Sequence, residues 1–114
     1  MTSIEAFRDH LETSTGIPFA AMAWKRNPEV DAWGLITITA EAGSVWGDNR
    51  KEEQALMGQI HLFTRRPGQA DMAAVQDALN PLEIHWRLDA VQYETDKQLV
   101  HYTWVWADWA GDLL

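Results

Sequence analysis

The sequence contains no cysteine, and this absence removes several classes of chemistry at once. Disulfide bonds, cysteine-ligated zinc and thiol nucleophiles are all excluded. Positive charge is also scarce, with 9 Lys and Arg against 17 Asp and Glu and a net charge of −8. Free binding to nucleic acid or to an anionic membrane needs clustered positive charge, so neither partner is expected. The charge balance favours a basic protein partner instead.

Long apolar runs are missing as well. The longest unbroken run, Phe19 to Trp24, is far too short to cross a bilayer. The first ten residues lack the basic and apolar regions of a signal peptide, so a cytosolic protein is expected. With 114 residues, of which 46% are hydrophobic, the chain fits a single domain spanning residues 1–114 with its own core.

Apolar residues at helical spacing predict two helices, at residues 3–14 and 69–80. The first begins with a capping box in Thr2–Glu5, in which the Thr2 hydroxyl and the Glu5 carboxylate satisfy free amides at the helix start. It ends before Gly16, which tolerates the left-handed conformation common at helix ends. The second helix ends at Pro81, because proline cannot continue a helix.

Alternating patterns predict the strands. The clearest strand runs from Gln54 to Thr64, and Gly58 within it indicates a bulge or a close backbone approach. The other predicted strands cover residues 17–24, 33–40, 84–93 and 99–106, with a very short one at 44–46. Hairpins are expected between the first two and between the last two. The order α-β-β-(β)-β-α-β-β predicts an α+β domain: one largely antiparallel or mixed sheet with two helices packed on it.

Four histidines are the residues that most invite a catalytic or metal-binding interpretation. His10, His61, His85 and His101 show no compact ligand spacing, and Ser44 lies in no nucleophile motif. Solvated or hydrogen-bonded sheet histidines are therefore favoured, and no catalytic, cofactor or metal site is predicted. The alternative is a small enzyme using His61 or His101, which requires a pocket where one of them approaches a carboxylate.

Seven tryptophans are many for a chain of this length, and Trp is enriched at protein contact surfaces. Those predicted near turns and strand exits are the best interface candidates: Trp24, Trp46, Trp106 and Trp109. Turn and charged residues beside strand 54–64 complete the candidate interface: Asp48, Asn49, Arg50, Lys51, Arg65 and Arg66. The basic pairs are either solvated strand ends or salt-bridging contacts to a neighbouring subunit, and both interpretations stay open.

The order of elements and four short segments carry a family resemblance. The segments are Gly16-Ile17-Pro18-Phe19, Gly47-Asp48-Asn49, Gly58 to Arg65, and Leu99 to Trp104. The chain resembles the tail-terminator, or tail-completion, minor tail proteins of long-tailed phages and prophages. That family pattern has an Asp-Asn turn before a strand ending in Leu-(Tyr/Phe)-Thr. Asp48-Asn49 and Leu62-Phe63-Thr64 are similar to it.

The resemblance implies a structural protein without a reaction or a cofactor. Such proteins form a ring, usually a hexamer, on the end of the tail tube. The ring stops tube polymerisation and presents a surface for joining the head. The implied partners are other copies of the chain, the tail-tube protein and a head-completion or connector protein. The implied locations are the host cytoplasm during assembly and then the virion tail. The alternative is an acidic stand-alone protein-binding module, such as an adaptor or immunity-like protein.

Overall fold

A computed structural model describes residues 4–23, 29–41 and 56–108. This part of the chain forms two helices and one five-stranded sheet, which confirms the predicted α+β fold. The helices are α1 (Ile4–Thr15) and α2 (Ala70–Leu79). The strands are β1 (Phe19–Ala21), β2 (Ala32–Glu41), β3 (Leu56–Thr64), β4 (His85–Glu94) and β5 (Leu99–Asp108). Their order across the sheet is β1-β2-β3-β5-β4. The strand expected at 44–46 and Thr2 of the predicted capping box lie outside the described residues.

Helix α1 buries one apolar face and ends where the sequence predicts. Phe7 and Leu11 are fully buried. Gly16 adopts a φ of 72°, and its amide donates to the carbonyl oxygen of Glu12 over 2.9 Å. Only glycine takes this conformation without a steric cost, so Gly16 lets the chain turn from α1 towards β1.

The expected hairpin between the first two strands is wrong, because β1 pairs with β2 in parallel. Phe19 lies opposite Gly34, and Ala21 lies opposite Ile36. Residues 22–31 separate the two strands, close to the dozen or so residues that a return connection between parallel strands needs. The Phe19 ring occupies the space where a side chain at position 34 would begin. A glycine in β2 therefore lets the short edge strand approach.

Strand β3 lies in the middle of the sheet and follows the predicted alternation along its whole length. Every second residue from Leu56 to Thr64 is buried, and the residues between them are half-buried. A Cβ atom on Gly58 would overlap the carbonyl oxygen of Thr37 and lie 2.8 Å from the Trp106 ring. The register of β2 against β3 shifts nearby, between Ile38 and Ala40. The predicted close backbone approach at Gly58 is confirmed.

Both helices pack on the sheet face that carries these buried β3 residues. Helix α2 contributes Val75, Ala78 and Leu79 to the core. The indole nitrogen of Trp104 donates to Gln76 over 3.2 Å, so this fully buried Trp is hydrogen-bonded to α2. One continuous apolar core thus lies between the helices and one face of the sheet.

Strands β4 and β5 form the second predicted hairpin, and this expectation is confirmed. The turn covers residues 95–98 and places Gln98 at a φ of 51°. The register shifts between Leu88 and Ala90, which leaves Asp89 as an extra residue in β4. Beyond this bulge, Val91 and Tyr93 return to the helix-facing side of the sheet, opposite Tyr102 and Val100.

Candidate functional site

Most of the predicted interface residues lie outside the described part of the chain. These are Trp24, Trp46, Asp48, Asn49, Arg50, Lys51 and Trp109. Three candidates are described: Arg65, Arg66 and Trp106.

Trp106 is a core residue rather than a surface anchor, which corrects its place in the candidate interface. Its side chain is 1% exposed and packs edge-on against Phe7, with ring centroids 5.3 Å apart. The reason is topological: β5 lies between β3 and β4, and position 106 shares the helix-facing side with Trp104. β5 also continues to Asp108, so Trp106 does not lie at the exit of the strand as the sequence predicted.

Arg65 is exposed but has partners within its own chain. Its guanidinium carbon lies 5.0 Å from the centre of the Trp33 ring, within range of a cation–π interaction. Its Nη1 donates to the carbonyl oxygen of Val30 over 3.1 Å. Arg65 therefore helps to position the segment that leads into β2.

Arg66 connects the end of β3 to the start of α2. Its Nη1 lies 3.1 Å from Oδ1 of Asp71, and its backbone amide donates to the Thr64 hydroxyl over 3.0 Å. The same hydroxyl donates to Oδ2 of Asp71 over 2.6 Å. The Arg66 side chain keeps 51% of its surface exposed, so contact with a neighbouring subunit is sterically open.

The outer strand of the sheet carries an apolar surface that sequence reasoning did not single out. Leu88, Val91 and Tyr93 lie on the helix-facing side of β4, yet they are 37%, 55% and 65% exposed. We call these three residues the β4 patch. β4 is an edge strand, and within the described chain only β5 pairs with it. In the sequence, apolar and polar residues alternate again after Asp89. This pattern predicts which side of the strand is apolar, but it does not predict that this side is left exposed.

The opposite face of the sheet carries a row of stacked rings, and no described helix covers it. Trp33 stacks on Phe63 at a centroid distance of 5.6 Å, and Phe63 stacks on His101 at 4.1 Å. His61 follows, with its ring centre 5.1 Å from that of His101. These residues come from β2, β3 and β5. Because the rings face one another, their flat surfaces are largely occupied and do not offer a platform for stacking bases.

His61 and His101 are in direct contact within this row. Nδ1 of His61 lies 2.8 Å from Nε2 of His101. The Thr103 hydroxyl lies 3.4 Å from the first nitrogen and 3.3 Å from the second. On the other side of the His61 ring, Nε2 lies 3.1 Å from Oε1 of Gln59. These two histidines are the hydrogen-bonded sheet residues that the favoured interpretation predicts.

Their environment favours neutral imidazoles. Burial lowers the pKa of His61, and the adjacent His101 lowers it further. Burial also lowers the pKa of His101, while the negative charge of Glu94 opposes that shift. A charged imidazolium would lose hydration on this half-buried face and would repel its neighbour.

The other two histidines lie elsewhere. Nε2 of His10 lies 2.6 Å from the carbonyl oxygen of Ala78, which links α1 to α2. His85 is exposed and lines a shallow depression of about 280 Å³ near the starts of β3 and β4. The depression is lined by Met57, His85, Trp86, Arg87, Val105, Trp106 and Ala107. It includes neither His61 nor His101, so it is not the pocket that an enzyme using those residues needs.

Two further observations concern the described residues. No group of three or more His, Asp or Glu side chains among them is arranged to hold a metal ion. Neither described helix is long and apolar enough to cross a membrane.

Comparison with known proteins gives no matching family model and no curated protein with significant sequence similarity.

Proposed function

We propose that the chain is a structural tail-completion protein of a long-tailed phage or prophage. In this proposal it forms a ring, a hexamer when assembled, on the end of the tail tube. The ring ends tube polymerisation and offers a joining surface to a head-completion protein. The order of elements and the Asp48-Asn49 and Leu62-Phe63-Thr64 segments support this assignment. Assembly takes place in the host cytoplasm, and the product belongs to the virion tail.

The observation that carries the proposal is the β4 patch. An edge strand has backbone groups available to a neighbouring chain, and proteins that stay monomeric usually protect such edges with charge or proline. β4 does carry a bulge at Asp89 and the exposed charges of Arg87 and Asp89, but it also exposes a Tyr, a Val and a Leu on one side. Exposed aromatic and aliphatic side chains beside an open edge suit repeated lateral contacts between subunits.

The net charge of −8 agrees with a ring through which DNA passes. Negative side chains repel phosphates, so an acidic lumen lets DNA move without being held. The same charge keeps separate subunits apart before they meet a tail tube. Ring formation then depends on the tube end, because weak lateral contacts gain from being held on a common template.

The test combines the protein with the tail-tube protein of its own genome and measures tube length by electron microscopy. The expected result is short tubes capped by a ring, where the tube protein alone gives unregulated lengths. The double variant Val91→Lys, Tyr93→Lys should fold but fail to cap. Gln92→Lys is the matched control, because Gln92 is exposed on the other side of the same strand. If tubes still grow to unregulated lengths in the presence of the unmodified protein, the proposal is contradicted.

The alternative is an acidic stand-alone binding module, and the same patch together with the charge of −8 favours it as the second candidate. Such a module forms a one-to-one complex with a basic protein. Affinity purification followed by mass measurement distinguishes the two. Recovery of a basic partner in a one-to-one complex, with no tail protein, supports the module.

A further inference from the structure

Three side-chain atoms that could serve as metal ligands lie close together on the sheet face that no described helix covers. They are Nδ1 of His61, Nε2 of His101 and Oγ1 of Thr103. The edges of the triangle measure 2.8 Å between the nitrogens, and 3.4 Å and 3.3 Å from the hydroxyl to each nitrogen. His61 comes from β3, and the other two residues come from β5, which pairs with it directly.

The hydrogen bond to Gln59 selects the useful tautomer of His61. Oε1 of Gln59 can only accept, so Nε2 of His61 carries the proton and donates to it over 3.1 Å. Nδ1 therefore accepts, and in the metal-free chain Nε2–H of His101 donates to it across 2.8 Å. An ion at the triangle replaces this proton, and neutral His101 then carries its proton on Nδ1, which leaves the lone pairs of both facing nitrogens for the ion. Histidines that bind metals have this arrangement, since a hydrogen bond at the far nitrogen fixes both the ring orientation and the tautomer.

The second imidazole is held by packing. The Phe63 ring stacks on His101 at a centroid distance of 4.1 Å and with an interplanar angle of 19°. Because Thr103 lies two residues further along the same strand, its hydroxyl points to the same side of the sheet as His101. The three candidate ligand atoms therefore belong to two adjacent strands in fixed register, and no loop is needed to bring them together.

We propose that His61, His101 and Thr103 form an open binding site for a divalent transition-metal ion of the zinc, nickel or copper class. Imidazole nitrogen suits these metals. Two nitrogens that bind zinc tetrahedrally are about 3.3 Å apart, given bond lengths of about 2.0–2.1 Å. The rings need to separate by only about 0.5 Å to admit the ion. Within the described residues no acidic side chain completes the set, and water can fill the open positions of such an ion.

This site goes beyond the proposed function, since ring formation through β4 does not require it. It lies on the face of the sheet opposite the β4 patch and belongs to other strands. An ion bound there would link β3 to β5 through side chains and add a fixed positive charge to a chain with a net charge of −8.

The test is calorimetric titration of the tag-free full chain with Zn²⁺, followed by NMR of the histidine ring nitrogens. We expect one ion per chain and shifts confined to His61 and His101. His61→Gln and His101→Gln should each weaken binding at least tenfold. Gln59→Leu should weaken it about 10- to 100-fold by releasing the His61 ring. Gln59→Glu should retain binding, because a carboxylate still accepts the Nε2 proton.

The matched controls are His10→Gln and His85→Gln, which remove histidines outside the triangle and should leave the affinity unchanged. Circular dichroism checks that every variant folds. Three results would each overturn the proposal: no binding at about 1 mM Zn²⁺, unchanged affinity in the folded His61 and His101 variants, or an equal loss in the His85 control. Unchanged affinity in Gln59→Leu would remove the role assigned to Gln59.

Discussion

At the scale of single residues, Gly58 shows how little free space the centre of the sheet contains. The backbone of β2 and the indole of Trp106 both lie where its side chain would be. The cost of adding an atom there comes from crowding rather than from backbone conformation.

We therefore predict that Gly58→Ala lowers the free energy of unfolding by about 3 kcal/mol or more, at or above the upper end of the usual cost of overpacking, because the crowding atoms belong to the backbone and cannot rotate away. Urea denaturation measures it. Gly68→Ala is the control, because Gly68 has a φ of 83° and open space around it. Its conformational strain should cost about 1–2 kcal/mol. If the two variants lose the same stability, crowding at Gly58 is not the explanation.

The histidine pair makes stability depend on pH. Burial lowers the pKa of both His61 and His101, so the folded chain binds fewer protons than the unfolded chain below the ordinary histidine pKa of about 6.5. This contribution is fully present above pH 6.5 and is lost as the pH falls through the lowered values. Urea midpoints at pH 7.5, 6.5 and 5.5 should decrease in that order.

The double variant His61→Gln, His101→Gln should make that dependence shallower, because it removes both groups from the folded and unfolded states. The comparison is made with the unmodified protein at the same three pH values. An unchanged slope would assign the acid sensitivity to other groups.

At the scale of elements, the junction between β3 and α2 depends on one carboxylate. Asp71 lies in the first turn of α2 and accepts hydrogen bonds from Thr64 and Arg66. Its side chain is 12% exposed, and Thr64 is 2% exposed. A negative charge at a helix start is also favoured by the helix dipole.

We predict that Asp71→Asn lowers the free energy of unfolding by about 1–2 kcal/mol, mostly through the buried bond to Thr64. Asp89→Asn is the control, since the Arg87–Asp89 ion pair is also short but has side chains that are 70% and 39% exposed. An exposed pair contributes about 0–1 kcal/mol. Equal losses in thermal or urea unfolding would show that the Asp71 contacts add nothing beyond a surface ion pair.

The elements differ in how far local sequence predicts them. β3 is predictable together with its buried face, because nine residues alternate without a break from Leu56 to Thr64. The direction of β1 is not, because three residues carry no signal of orientation. The burial of Trp106 and the contact between His61 and His101 depend on which strand lies beside β5. The two histidines are 40 residues apart in the chain, and no local pattern encodes their register.

At the scale of the whole molecule, two kinds of interface predict opposite responses to salt. The β4 patch is apolar, while the chain carries a net charge of −8. If copies associate through the patch, added salt screens their mutual repulsion and strengthens association. If they associate through Arg65 and Arg66, salt weakens the ion pairs instead.

We predict tighter self-association at 0.5 M than at 0.05 M NaCl, measured by sedimentation velocity at high protein concentration. The Val91→Lys, Tyr93→Lys variant should abolish it at both salt concentrations. Dissociation of the unmodified protein in high salt would instead favour the basic residues at the end of β3 as the interface.

The strand order also has a consequence for synthesis of the protein on the ribosome. β5 separates β3 from β4, although both precede it in the chain. Until β5 has emerged, both strands therefore present an unpaired inner edge, and the core still lacks Trp104 and Trp106. The nascent chain is most exposed to aggregation in this interval, because open strand edges and uncovered apolar side chains occur together. A ribosome that stalls after β4 thus holds a chain more prone to aggregate than one that stalls after β5.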